Sequence, residues 1–338
     1  MIGASVPHLA ARLLATPAIV ICAAWGACAL WYRASGKPVL KVLSAALWSA
    51  FSLAALLALW QERAIPGLTA YSIGFLALLV WWYRLRPSNQ RVWADDVAQM
   101  TTGTVSGGIV TLHNVRNFAW RTNTDYAQHW ETRSYELDRL DSVDMIMSHW
   151  TGRMIAHMLI SFGFEGGGHV AFSVEIRREK QQSFSEVGGF FKEFELSVIA
   201  ADERDVVRVR TNVRGEDAFL YRLVMPLAAM RSLFLAYVEE ANRLVRTPRF
   251  YNTITVNCTT LVYHMMKRIA GGLPWSYRVL LSGYMPEYVY RIGRLDLRYS
   301  LTQLREFGRI SERAKQADLS AAFSEDIRQG VPRLVADP

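Results

Sequence analysis

The run Tyr251-Asn252-Thr253-Ile254-Thr255-Val256-Asn257-Cys258-Thr259-Thr260 reads as a loop that delivers a cysteine to the first turn of a helix. Beyond Cys258, Leu261, Val262, Met265, Met266 and Ile269 recur at helical spacing and give one apolar face. Asn257 is a good N-cap residue, and Gly271-Gly272 followed by Pro274 ends the helix. Cys258 therefore sits where unpaired backbone N–H groups and the positive end of the helix dipole converge. That environment favours the thiolate, the nucleophilic form of a thiol. The ordinary use of Cys on a helix is as a small buried hydrophobe, so a chemical role requires partners elsewhere in the chain.

The chain has 338 residues, room for about two domains, with 51% hydrophobic residues, 11 Trp and a formal net charge of +8. Long uncharged runs fill the first 90 or so residues, and the remainder has ordinary globular composition. Basic residues cluster beside the apolar runs, as membrane flanks do, and no nucleic-acid-binding motif is present. Of the three Cys, Cys22 and Cys28 lie inside an apolar run, which leaves Cys258 alone outside it. This usage argues against a disulfide framework and against a Cys-based metal site.

Three spans are predicted in residues 1–90, at about 13–32, 42–60 and 65–83. The third ends in Trp81-Trp82-Tyr83-Arg84, an aromatic belt with a basic anchor. The first run also has features of a signal peptide, with Ala27-Cys28-Ala29 as a cleavage site, but two further spans follow it. Arg33, Lys37, Lys41, Arg84, Arg86 and Arg91 flank one side and Arg12 and Arg63 the other. Taken alone, this count places the large domain in the cytoplasm.

The soluble part reads as α+β, a small antiparallel sheet packed with helices. Residues 101–118 are extended around a turn at Ser106-Gly107-Gly108, and 131–137 and 143–150 are further strands. The clearest hairpin joins 154–163 to 169–177 through Glu165-Gly166-Gly167-Gly168. Phe184–Phe194 looks helical, 219–224 fits a strand, and Pro226–Val245 is a strongly amphipathic helix. Domain boundaries are expected at 91–298 for the folded domain and 299–338 for a peripheral helical tail.

A thiol nucleophile needs a base within hydrogen-bond reach and a third group that orients the base. His113, His129 and His149 lie among polar or turn residues, and His264 points away from Cys258 on the same helix. The hairpin supplies the candidates, His157 on its first strand and His169 opening its second. A turn centred near Gly166 places His157 opposite Glu175, on the same face and with Cβ atoms about 5 Å apart. A carboxylate there can hold the imidazole tautomer and stabilise the imidazolium. The expected constellation is Cys258 as nucleophile, His157 as general base and Glu175 as orienter, with His169 in reserve. Tyr251 and Asn252 are candidates for an oxyanion or substrate contact beside the backbone N–H of Cys258. The acidic cluster Asp202, Glu203 and Asp205, with Arg204, Arg208 and Arg210 nearby, reads as an ion-pair network and not as a metal site. No metal or cofactor is expected.

The order of a hairpin His, a polar residue on the next strand and Asn-Cys opening a helix resembles the circularly permuted branch of the papain-like, NlpC-type fold. Lecithin:retinol acyltransferase-like enzymes belong to that branch. Residues of about 113–265 more closely resemble the Lnb-type lipoprotein N-acyltransferase domain. The matching stretches are His113–Phe118, Ile155-Ala156-His157, Phe172-Ser173-Val174-Glu175, Ala201–Asp205 and Tyr251–Thr260. The resemblance implies a Cys258–His157 catalytic pair in a periplasmic domain of a multi-pass protein of the bacterial inner membrane, against the basic-residue count. It implies a phospholipid acyl donor and a diacylglyceryl lipoprotein acceptor. In the family's best-known members the spans follow the domain, whereas here they precede it. Two other readings fit the same residues. One is a thiol hydrolase acting on phospholipid or cell-wall peptide, and the other a non-enzymatic membrane module whose cysteine is structural.

Overall fold

The computed structural model describes residues 6–34, 38–61 and 63–333; Lys37 lies outside them. The chain divides into two compact units. One holds residues 1–87 with 184–193. Its helices α1 (Val6–Arg33), α2 (Pro38–Leu59) and α3 (Ala64–Arg84) are each long and apolar enough to cross a membrane. Pro17 does not interrupt α1. Trp48 and Tyr71 lie 5.5 Å apart between the helices. The Trp48 indole donates to the Ala23 carbonyl at 3.2 Å, and the Tyr71 hydroxyl donates to that of Ile19 at 3.3 Å. A polar tip in an apolar environment must find such a protein partner. The segment 184–193 is not the helix expected from its sequence. It makes one 3-10 turn, Gly188–Phe191, and Phe191 stacks on Tyr32.

The other unit holds residues 88–183 and 194–338. Its strands are β1 (Thr102–Ser106), β2 (Ile109–Arg116), β3 (Ala119–Trp120), β4 (Tyr126–Ala127), β5 (Trp130–Glu136), β6 (Leu140–His149), β7 (His157–Phe164), β8 (His169–Arg177), β9 (Glu195–Ala201) and β10 (Asp217–Arg222). Its helices are α4 (Glu203–Val206), α5 (Leu227–Arg246), α6 (Cys258–Ala270), α7 (Met285–Arg291), α8 (Leu301–Gly308), α9 (Ser311–Ala317) and α10 (Phe323–Asp326). The sheet is larger than expected, eight strands in the order β1-β2-β9-β8-β7-β6-β10 with β5 paired to β2, while β3 and β4 form a separate ribbon. Strand β9 escapes a reading by alternation because every one of its residues is buried.

Both faces of the sheet are covered, which explains its many fully apolar strands. Met158, Ile160 and Phe162 of β7 and Phe172 of β8 pack with Phe234 and Tyr237 of α5 and Met265 of α6. The alternate residues Leu159, Ala171 and Ile199 pack with Val206, Ile310, Phe323 and Ile327. The segment after residue 298 is therefore not a peripheral tail. Ile310, Ala314, Phe323 and Ile327 are fully buried and form the second face of the core. Its polar appearance in sequence comes from helices of four to eight residues, each offering at most three apolar side chains.

The acidic cluster is an ion-pair network, as read from sequence, though with more distant cations than expected. Asp205 accepts both Nε and Nη2 of Arg116, at 2.8 and 3.0 Å, with the Phe118 N–H and the Trp120 indole. Asp202 pairs with Arg133 and Arg204. Arg328, from the C-terminal segment, donates to Asp144 at 2.9 Å and to both oxygens of Glu203 at 2.7 and 2.8 Å. Burial pushes the Glu203 carboxyl up, but Arg328 outweighs it and brings the group down to about 2. A depressed carboxylate of this kind stabilises the fold above its ordinary value of 4.5, and that contribution is lost as the pH falls toward 2. Arg328→Ala strands the buried Glu203 carboxylate, while Asp144 keeps Arg222, and should cost about 3–5 kcal/mol. A thermal melt of the purified chain checks this, with a clearly lowered midpoint expected and an unchanged one contradicting it.

Candidate active site

Helix α6 begins at Cys258 because Asn257 caps it from both directions. The Asn257 Oδ1 accepts the backbone N–H groups of Thr259 at 3.0 Å and Thr260 at 2.9 Å, while the Thr260 hydroxyl accepts the N–H of Asn257 at 2.9 Å. Such a reciprocal cap fixes the first helical turn. Thr259 anchors the turn further by donating to the Val279 carbonyl at 2.7 Å. The Asn257 amide donates to the Thr253 carbonyl at 2.7 Å, which ties the loop to the helix it feeds.

The hairpin presents the base. Its register is the one predicted, with Leu159 opposite Ser173 and Gly163 opposite His169. The β7–β8 ladder stops at Leu159, and the backbone N–H of Met158, one residue beyond, is hydrogen-bonded to the Cys258 sulfur. The His157 ring, one residue further still, hydrogen-bonds the same sulfur. The structure thus brings together the two residues chosen as nucleophile and base.

Glu175 joins them, but through an intermediary that the sequence reading passed over. The His157 Nε2 lies 3.3 Å from a Glu175 carboxylate oxygen and 2.7 Å from the Ser173 hydroxyl, which is itself 2.6 Å from the same carboxylate oxygen. Ser173 has one hydroxyl proton and gives it to Glu175, so its oxygen accepts from Nε2–H. This fixes the ring tautomer and leaves Nδ1 for the sulfur. Arg210 completes the set, donating to Glu175 at 3.2 Å and to Glu216 at 3.4 Å. Ser173 was discoverable, since it lies two residues before Glu175 and so on the same strand face. Arg210 carried no local signal, being placed by an irregular helical turn 35 residues away from Glu175 in sequence.

The electrostatics follow from these contacts. Burial and the Arg210 charge push the His157 imidazole down, but Glu175 and Cys258 outweigh them and raise it to about 9. Burial pushes the Cys258 thiol up, yet the hydrogen bond and charge of His157, with the Met158 N–H, leave it below its ordinary value. Burial also pushes Glu175 up, and His157 and Arg210 together hold it well below the usual carboxylate range. Each group thus favours the charged form of the other, the imidazolium lowering the thiol and the thiolate raising the imidazole.

The other candidates stand apart. His169 is at the turn end of the hairpin, six residues along β7 from His157, a separation of about 20 Å. Its Nδ1 bonds the Gly167 carbonyl, so it is not the reserve base. Asn252 holds the turn leading to α6, its side-chain oxygen accepting from the N–H groups of Ile254 at 3.0 Å and Thr255 at 2.9 Å. Tyr251 is half-buried against the core, its N–H on the Phe194 carbonyl.

Residues 126–283 match the family described as the Lnb N-terminal periplasmic domain, a stretch that includes His157, Ser173, Glu175, Arg210 and Cys258. No curated protein and no solved structure matches the chain.

Replacing His157 by Ala removes the main influence that lowers the thiol. The rate of Cys258 alkylation by iodoacetamide, followed against pH, should show a lower midpoint in the native chain than in the variant. Equal midpoints would contradict the pairing.

Proposed function

We propose that this protein, whose residues 126–283 match the Lnb N-terminal periplasmic domain family in a chain with three helices apolar enough to cross a membrane, is a membrane-bound thiol acyltransferase with a periplasmic catalytic domain. In this reading the domain is a circularly permuted papain-like one, and the protein is a multi-pass component of the inner membrane. The observation that carries the reading is the hydrogen bond between the Cys258 thiol and a His157 ring whose far nitrogen is held by Ser173 and Glu175.

The chemistry divides into two balanced halves. The Cys258 thiolate attacks the ester carbonyl of a phospholipid, forming a C–S bond and a tetrahedral oxyanion. The backbone N–H of Cys258, at the positive end of α6, stabilises that charge. As the C–O bond breaks, the His157 imidazolium gives its proton to the leaving alkoxide, and a lysophospholipid departs. The resulting S-acyl Cys258 is attacked by the α-amino group of a diacylglyceryl-cysteine lipoprotein. Neutral His157 takes the amine proton, the C–S bond breaks, and the thiolate–imidazolium pair is restored. Glu175, with Arg210 behind it, keeps His157 oriented and stabilises its charged form.

Incubating the full-length chain in phosphatidylethanolamine vesicles with a diacylglyceryl lipopeptide should give N-acylated lipopeptide and lysophospholipid in equal amounts. Cys258→Ser should lower this at least about a thousandfold. Ser173→Ala should lower kcat by roughly ten- to a hundredfold, less than loss of the base itself, because it removes a positioning contact. Free fatty acid without N-acylated lipopeptide would mean that water is the acceptor and the enzyme a hydrolase. Normal transfer by Cys258→Ser would exclude the thiol mechanism.

A further inference from the structure

Helix α6 has a second apolar feature that the catalytic pair does not use. Thr259, Val262, Tyr263, Met266 and Ala270 line a cavity along one side of the helix. From Thr259 to Ala270 the helix rises about 16 Å. The facing wall is Met158 and Ile160 of β7, with Leu233 of α5 and Met285, Tyr288 and Val289 of α7. Its lining is almost wholly apolar, and Arg294 is the one charged residue on it.

The position of this cavity is chemically specific. Thr259 follows the nucleophile in the chain, and Met158 is the residue whose N–H bonds the sulfur. The cavity therefore starts at the two residues that flank Cys258 and runs away from them along the helix. The inner end is deeply buried, with Thr259, Met145 and Met158 at 0–3% exposure, while Ala270 and Arg294 at the outer end are exposed. The open volume is about 80 Å³, roughly half that of an engineered apolar cavity of about 150 Å³ that takes up benzene. Its walls are nevertheless deformable. Five of the chain's 11 methionines, Met145, Met158, Met225, Met266 and Met285, lie on them. Methionine is unbranched and fills or vacates irregular space at low cost.

We infer that this methionine-walled cavity is the binding site for the aliphatic chain of the acyl group carried on Cys258, and that Met266 and Ala270 set the chain length it accepts. The inference rests on the acyl-transfer reading for the thioester, though not for the cavity's affinity for an aliphatic chain. A chain attached through its carbonyl to the sulfur enters at the Thr259–Met158 end and extends toward Ala270, displacing methionine side chains as it goes. The wall hydroxyls of Thr259, Tyr263 and Tyr288 are already donated to the carbonyls of Val279, Leu273 and Pro274, and the apolar surface the chain covers is withdrawn from water.

Two measurements test this on the full-length chain in vesicles. In the first, the vesicles contain phosphatidylethanolamine bearing a palmitoyl chain with a terminal diazirine, and photolysis is followed by peptide mass spectrometry on the native chain and on Cys258→Ala. Label on the peptides containing Met266, Leu273 or Val289 supports the cavity. Label confined to other peptides in both proteins overturns it. In the second, the vesicles contain equal dioctanoyl and dipalmitoyl phosphatidylethanolamine, and the acyl group on Cys258 is weighed. Met266→Trp and Ala270→Phe should raise the octanoyl-to-palmitoyl ratio at least about tenfold, and an unchanged ratio in both overturns the length assignment. A thioester with label outside the cavity refutes this inference and leaves the acyl-transfer reading intact. Cavity label without any thioester refutes that reading and leaves the cavity assignment standing.

Discussion

The site depends on bringing one sulfur to the open end of a β ladder. The β7–β8 pairing stops at Leu159, and the Met158 N–H beyond it would otherwise lack a strand partner on that side. The first turn of α6 supplies the partner, with Cys258 held there by the Asn257 cap. A backbone N–H and an imidazole then converge on one thiol, and both favour its charged form. In the proposed mechanism no single residue creates the nucleophile, because the reactive state arises from the meeting of a helix start with a strand end.

The same constraint explains why so much charge lies inside the domain. A thiolate–imidazolium pair needs a carboxylate behind the ring, and a buried carboxylate needs its own compensation. Glu175 is answered by Ser173 and Arg210, and Arg210 by Glu216, which also takes the Ser148 hydroxyl at 2.5 Å. Farther along the same face, Glu203 and Asp144 share Arg328. The C-terminal segment therefore contributes to the interior of the domain both with apolar side chains and with the cation that pairs Glu203 and joins Arg222 on Asp144.

Those features whose cause is local were legible in the sequence. The Asn-Cys helix start, the glycine-turned hairpin and the His157–Glu175 register each follow from a few neighbouring residues, and the three apolar helices from length and composition alone. Features whose cause is tertiary were not. Strand β9 has neither alternation nor helical period because both of its faces are covered. Ser173 looked like one small polar residue among many until the fold placed it between His157 and Glu175. His169 resembled a second base because sequence distance within a hairpin does not reveal that its two ends lie about 20 Å apart. The C-terminal segment looked peripheral because its apolar residues are spread over three short helices and the capping positions beside them.

The central claim is that Cys258, activated by His157, carries an acyl group. Peptide mass spectrometry of the native protein taken directly from membranes tests it most directly. A hydroxylamine-labile fatty-acyl mass on the peptide containing Cys258, absent from His157→Ala, is the predicted result. An unmodified Cys258 peptide, in protein that nonetheless N-acylates a lipopeptide, would contradict it.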